Sequence, residues 1–279
     1  MNFNLLPIFY SFVIAFFVID CHLISQSSNY NEFNCQKPVA LSLWMTCLTG
    51  SMRDVPIRSL AIPGSHDSFA YWLDDDPDLS LAPDISGWQK ALLSVWSIFY
   101  GELEMRRHLR RWSLTQSMDV EEQLHQGIRY FDMRIAYDPD DNSIRFIHML
   151  WGKKIEEEID KIDIFLKKHP GEVVILDFNH FYEMTTNHHR VVVSYLMQKF
   201  SERIVSFHYW RRLSWLTLDR LQRSKLQVFI IYHHHSGVSM SKQVFWPDPA
   251  AISPWADTDH LPDLIPFLDK VKSHVTFFI

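Results

Sequence analysis

The stretch Arg58-Ser-Leu-Ala-Ile-Pro-Gly-Ser-His-Asp-Ser-Phe69 places a histidine and a carboxylate directly after a Pro-Gly break. Proline and glycine end a strand abruptly, so Ser65-His66-Asp67 is expected on a turn at the C-terminal end of a short buried strand over 58–63. A lone triplet of this kind is more often an ordinary turn. Here, however, polar residues recur at the ends of other strand-like runs: Asp132 and Arg134, then His148, then Asp177, Asn179 and His180. Residues two apart in a strand face the same way, so Asp132 and Arg134 share one face. A carboxylate and a guanidinium inside an apolar strand are costly unless paired or functional. Two histidines, a carboxylate and an arginine at one mouth suit acid–base cleavage of a phosphodiester. One histidine takes a proton from the attacking hydroxyl, the other gives one to the leaving oxygen, and the arginine stabilises charge on the phosphoryl oxygens.

The elements that must position these groups alternate. Strands are expected at 58–63, 128–136, 144–150, 173–181, 227–233 and 274–279, with a further one near 242–246. Helices are expected at Trp88–Phe99, from a Ser117 cap to Leu124, at Lys153–Lys168, Asn187–Phe200 and Leu218–Arg223. Alternation of this kind implies an α/β fold with a parallel sheet covered on both faces. The count points to a distorted TIM-type (β/α) barrel, incomplete at the C-terminus, because a barrel needs eight strands and the chain stops inside the last strand-like run.

Composition narrows the partners. Hydrophobic residues make up 47% of the 279 residues and the formal net charge is −6, which suits a packed globular protein and excludes nucleic acid as a partner. The acidic stretch Asp74–Asp78 lacks the Gly and distal Glu of a calcium loop and reads as solvated. The basic stretch Arg106–Arg111 reads as a solvated face or as a patch drawn to anionic headgroups. The mostly apolar Trp88–Phe99 either packs hard or touches a membrane. The histidine run 233–235 reads as a loop rather than a metal site.

The uncharged run Leu5–Ile19 has the length of a secretory apolar region and is short for a membrane span, so residues 1–25 are expected to be a signal peptide or an N-terminal anchor. Residues 26–40 read as a polar linker. Secretion or attachment to an endomembrane follows, with a cytoplasmic, membrane-peripheral location as the alternative. Of the three cysteines, Cys35 and Cys47 form a bridge if the leader is cut after Cys21 in an oxidising compartment; three ordinary thiols are the other reading.

Five ordered motifs carry a resemblance: Leu60–Phe69, Trp112-Ser-Leu-Thr-Gln116, Gln123–Arg134, His148 and Val174–Phe181. Together they resemble the phosphatidylinositol-specific phospholipase C X domain, and more narrowly the animal proteins that carry an X domain alone. The resemblance runs over 41–279. It implies a distorted α/β barrel acting on an inositol phospholipid at a membrane surface, by internal attack of the inositol 2-hydroxyl on phosphorus. It implies His66 as general base, His148 as general acid, Asp67 as the group that orients the acid, and Arg134 as the phosphate ligand. Asp132 would hold inositol hydroxyls or Arg134, with Asn179 and Tyr232 as further headgroup contacts. No metal or other cofactor is expected, since Asp67 and Arg134 stand where calcium-dependent members carry ion ligands. Such proteins also run on into a final strand whose carboxylate partners the base. A catalytically weak inositol-lipid-binding protein is the alternative. A glycerophosphodiesterase is disfavoured, because His66 is followed by Asp rather than Arg.

Overall fold

A computed structural model of the chain describes Cys35 and residues 39–274, apart from 77, 210–214, 251–255, 257 and 259. The apolar leader, most of the linker and residues 275–279 of the last expected strand lie outside the described residues.

The described residues form an α/β fold around one mixed sheet of six strands. These are β1 (Gly64–Ser65), β2 (Tyr130–Asp138), β3 (Ser143–His148), β4 (Leu150–Lys154), β5 (Val174–Tyr182) and β6 (Val228–Tyr232). The order is β4-β3-β2-β5-β6, with β1 lying beside the first residues of β2. Pairing is parallel for β1–β2, β2–β5 and β5–β6, but β3 and β4 run antiparallel to their neighbours. The all-parallel expectation is therefore corrected at β3 and β4. The four residues between β2 and β3 are too few for a crossover, and a short loop can only return the chain antiparallel.

Three other expectations shift. The strand expected at 58–63 is a 3-10 turn at Ile57–Ser59 followed by unpaired chain, and only Gly64–Ser65 joins the sheet. Pro63 has no N–H to give, so the ladder starts from its carbonyl, which accepts from the Arg129 and Tyr130 amides. A Cβ on Gly64 would sit 3.1 Å from the Tyr130 Cβ, so glycine permits the close approach of β1 to β2. Near 242–246 only a single bridge forms, from Trp246 to Ile231. Where a strand was expected to begin at 274, His274 instead ends a helix. Among the described residues the sheet does not close into a barrel.

Eight helices are described: α1 (Gly87–Tyr100), α2 (Glu102–Ser113), α3 (Val120–His125), α4 (Ile155–Lys168), α5 (Thr186–Phe200), α6 (Leu218–Arg223), α7 (His235–Met240) and α8 (Leu261–His274). The cap of α3 is Asp119 rather than Ser117; its carboxylate accepts from the Glu122 amide in a capping box. The basic stretch falls within α2 and is not simply solvated. Arg106 is buried against Glu102 and the Leu79 carbonyl, and Arg110 donates to the Leu73 carbonyl.

Strand alternation divides the interior in two. Phe131, Met133 and Ile135 of β2, Leu176 and Phe178 of β5, and Ile230 and Tyr232 of β6 pack under α3, α4 and α5. The opposite face carries Ile175, Phe229 and Ile231, plugged by Met45, Leu218 and Trp246. Its polar residues lie toward the strand ends.

A buried ion pair holds the bottom of this plug. Arg129 and Glu172 are fully inaccessible and meet at 2.9 Å; Glu172 also accepts from the Thr46 amide, and Arg129 donates to the Ser42 carbonyl. This ties the segment after the linker to the starts of β2 and β5. Arg129→Met should lower stability by about 3–5 kcal/mol, since Glu172 is left charged and dry. Urea unfolding measures it, and a loss below about 1 kcal/mol would contradict this account. Cys35 and Cys47 form a disulfide with a Cα–Cα distance of 5.6 Å, anchoring the linker to the same region.

Candidate active site

Three connections bring the expected residues together. The turn after β1 carries His66 and Asp67, β2 carries Asp132 and Arg134, and the corner between β3 and β4 carries His148. Asp67 and Met149, the latter immediately after His148, both have positive φ (42° and 61°). Left-handed backbone at non-glycine residues costs free energy and persists where the surroundings enforce it.

The motif Trp112–Gln116 supplies much of that enforcement. The Ser113 carbonyl accepts from His148 Nδ1 at 2.6 Å, Thr115 Oγ1 donates to the Asp67 carbonyl at 2.9 Å, and Gln116 Nε2 donates to the His66 carbonyl at 2.7 Å. One four-residue segment thus holds both histidines and the carboxylate between them. From the other side, Asp84 accepts from the Met149 amide at 2.8 Å and props the corner that bears His148.

Asp67 is the centre of the cluster. Its carboxylate is almost fully buried, pairs with Arg134 Nε, and lies 3.5 Å from His148 Nε2 and 3.6 Å from His66 Nδ1. Its own amide donates to Asp132 Oδ2 at 2.9 Å. Burial pushes its pKa up, and the charges of His148 and Arg134 oppose that rise. The carboxylate therefore needs those cations to stay ionised. Nδ1 of His148 donates to the Ser113 carbonyl, which turns Nε2 toward the Asp67 carboxylate. His66 is the more open of the two, with 38% of its side chain exposed, and its Nε2 lies 3.4 Å from an Arg134 nitrogen and 3.9 Å from Asp132.

Asn179 joins the cluster through a bulge. The β2–β5 register runs Asp132 to Asp177 and Met133 to Phe178, then Arg134 to His180. Asn179 is the extra residue, and its amide donates to Asp132. Bulges beside functional sites re-aim side chains in this way. His180, exposed at the mouth, has its pKa lowered by partial burial and by Arg134.

Tyr232 does not face this cluster, and its assignment as a headgroup contact is corrected. It pairs in register with Phe178, so it points under the helices, is 0% exposed, and its hydroxyl bonds His189 at 2.9 Å. The neighbouring residue occupies the polar face instead. His233 bridges Asp177 at 2.8 Å and Asp248 at 2.8 Å, and Tyr130 donates to the second oxygen of Asp177 at 2.6 Å. Burial opposes charge on His233, but the Asp177 and Asp248 carboxylates win and its pKa is raised. Strand parity counted from Asp177 through the β5–β6 pairing would have selected His233. The rest of the histidine run diverges, with His234 capping α7 and stacking on His189.

His66, Asp67 and Asp132 present ligand atoms within 4.8 Å of one another, a spacing that suits a cation. The Arg134 guanidinium already lies against Asp67 and His66, however, and Asn179 and the Asp67 amide already bond Asp132. The chain's own cation thus occupies part of this donor set.

No family model matches the chain. Among curated proteins, PI-PLC X domain-containing protein 2 of Homo sapiens is 36% identical over 234 residues, covering 82% of this chain and 72% of its own length. The Homo sapiens PI-PLC X domain-containing protein 3 is 36% identical over 230 residues, covering 82% and 68%. The chain belongs to the PI-PLC X domain-containing proteins. The Mus musculus protein 2 matches at 37% over 82% of this chain, which spans only 64% of that relative. A solved phosphatidylinositol-specific phospholipase C from Staphylococcus aureus superposes with a TM-score of 0.50 at 18% identity, over 85% of this chain and 74% of that one. That likeness shows a shared fold. Within this X-domain protein, the motifs singled out in the sequence are those that build the cluster around Asp67.

Proposed function

We propose that the chain is a phosphodiesterase of the phosphatidylinositol phospholipase C type, cleaving an inositol phospholipid to diacylglycerol and a cyclic inositol phosphate. The observation that carries this reading is the convergence of two histidines and an arginine on one buried carboxylate, Asp67. Family membership supports it. His66 takes the proton of the inositol 2-hydroxyl, whose oxygen attacks phosphorus. Charge building on the phosphoryl oxygens is met by Arg134. The phosphorus–oxygen bond to diacylglycerol then breaks, and His148 protonates the leaving oxygen while Asp67 keeps the ring oriented. Asp132 and Asn179, linked to each other, offer oxygen and nitrogen to ring hydroxyls.

The test is incubation of purified protein with radiolabelled phosphatidylinositol in vesicles, following release of a water-soluble cyclic inositol phosphate. Binding of inositol headgroup without release would support the lipid-binding alternative and refute the enzymatic reading.

Asp84 acts here as a positioning residue that sequence reading missed. It sits before α1 without a motif around it, yet its charge reaches His148 and Arg134, and burial raises its pKa. Asp84→Asn keeps an acceptor for the Met149 amide, whereas Asp84→Ala removes it. We expect kcat to fall by up to about 10²-fold in Asp84→Ala with KM little changed, and by much less in Asp84→Asn. Equal losses in both variants would argue against positioning through that hydrogen bond.

We also propose residues 1–25 as a leader or anchor, 26–40 as a linker and 41–279 as the X domain, in a secreted or endomembrane-associated protein. The Cys35–Cys47 disulfide supports an oxidising compartment.

A further inference from the structure

Strand β6 runs into consecutive histidines, and the first two leave it in opposite directions. His233 turns to the polar face; burial there opposes its charge, but Asp177 and Asp248 raise its pKa. His234 turns under the helices. It lies face to face with His189 of α5, with ring centroids 3.9 Å apart and planes 9° from parallel.

This stack fastens α7. His234 caps that helix through Nδ1, which accepts from the Ser236 amide at 3.3 Å and so carries no proton. One turn on, Gly237 lies flat against the Tyr232 ring, and a Cβ there would come within 2.1 Å of a ring carbon. The Tyr232 hydroxyl in turn bonds Nδ1 of His189 at 2.9 Å, and His189 is 2% exposed. Helix α7, the end of β6 and α5 therefore meet at two imidazoles.

Among the described residues, the titratable groups facing the pair are histidines and tyrosines. His188 precedes His189 on α5 and stacks on Tyr137 of β2, and His235 sets its ring 4.6 Å from that of His234. Tyr232 of β6 offers a hydroxyl that burial keeps protonated, and Phe181 of β5 offers a ring edge. No carboxylate offsets a charge on the pair. Burial, reinforced by His234, His188 and His235, lowers the pKa of His189 to about 4; burial and His235 lower that of His234. Two protonated rings in a stack would also repel each other directly. A histidine freed from the fold titrates near about 6.5. The closed arrangement thus binds fewer protons than an open one, is fully stable above that pH, and weakens as pH falls below it.

We propose that the His189–His234 stack is an acid-released latch: its protonation frees α7 from α5 and loosens the seat of His233 beside Asp177. The latch stands on this geometry and does not depend on the proposed function.

The test is hydrogen exchange on the full chain between about pH 7.5 and 5, corrected for the intrinsic pH dependence of exchange. The Val238 and Ser241 amides, bonded to the His234 and Gly237 carbonyls, report on α7. Their protection should weaken by at least about tenfold per pH unit below about pH 6, since opening takes up one proton or more. Amides in the middle of β2 should keep theirs. His234→Asn retains a capping acceptor but does not titrate, and His189→Phe keeps a ring in the stack without a charge. The double variant should lose the pH dependence, and His234→Asn alone should reduce it. Thermal unfolding at neutral pH shows whether each variant is folded, and the single variant decides where the double one is not. Protection of α7 that does not change with pH in the wild type would overturn the proposal. So would an undiminished slope in His234→Asn, or loss of protection in β2 in step with α7, which would mean global acid unfolding instead.

Discussion

His148→Ala is expected to lower turnover of phosphatidylinositol by about 10²–10⁴-fold, and His66→Ala by a similar factor. The two losses have different origins. His148 is anchored through Nδ1 on the Ser113 carbonyl with Nε2 turned toward Asp67; on the proposed mechanism it is the proton donor, and its removal leaves the diacylglycerol oxygen to depart as an alkoxide. A substrate with a good leaving group needs no such proton. On a nitrophenyl inositol phosphate, His148→Ala should therefore recover most of its activity, whereas His66→Ala should not, because attack by the 2-hydroxyl still needs a base. The double variant should lose far less than the product of the single losses, since groups acting as a unit are not additive. Vesicle binding should survive in all three. Full activity in either single variant on the natural lipid would remove the acid–base assignment, and equal behaviour on the two substrates would remove the division of roles.

How much of this was legible before the fold was known depends on what each inference needed. Asp132 and Arg134 could be placed together because strand alternation is local and both lie in one uninterrupted strand. The motif at Trp112–Gln116 was visible as a motif, but its work was not, because the bonds from Ser113, Thr115 and Gln116 to His148, Asp67 and His66 each end on a backbone carbonyl, and a carbonyl leaves no trace in side-chain type. Tyr232 was misplaced for a different reason. Which face a residue of β6 takes is set by its pairing with β5, through Phe178 opposite Tyr232, and register across forty-odd residues of intervening chain is not a local property. The same pairing brings forward His233, which looked like one of three equivalent histidines. Asn179 owes its position to a bulge, and bulges shift parity without a composition signal. Asp84 illustrates the general limit: a single carboxylate in a loop becomes part of a site only when a distant corner is folded against it.

Arg134 carries the other large expected effect, and it bears on whether the reaction needs a metal. Calcium-dependent phospholipases of the type this chain resembles neutralise the phosphate with an ion held by side chains after the first histidine and on the second strand. In this chain those positions are Asp67 and Arg134, and the guanidinium is paired to the carboxylate. A divalent ion placed among His66, Asp67 and Asp132 would lie within roughly 5 Å of that guanidinium. At an effective dielectric of about 20 the repulsion amounts to several kcal/mol, enough to displace an ion bound with ordinary affinity. The guanidinium can do the ion's work, because its planar donors match two phosphoryl oxygens at once. Wild-type turnover should therefore be unchanged in excess chelator and unaffected by added calcium. Arg134→Lys keeps the charge but not the fork and should lose about 10²-fold or more. Arg134→Asp should be nearly inactive, since it sets a third carboxylate beside Asp67 and Asp132, and that cluster is the composition a calcium site requires. Added calcium should then restore part of its activity, whereas it should do nothing for Arg134→Lys. Wild-type activity abolished by chelator and restored by micromolar calcium would show that a metal, and not Arg134, neutralises the phosphate.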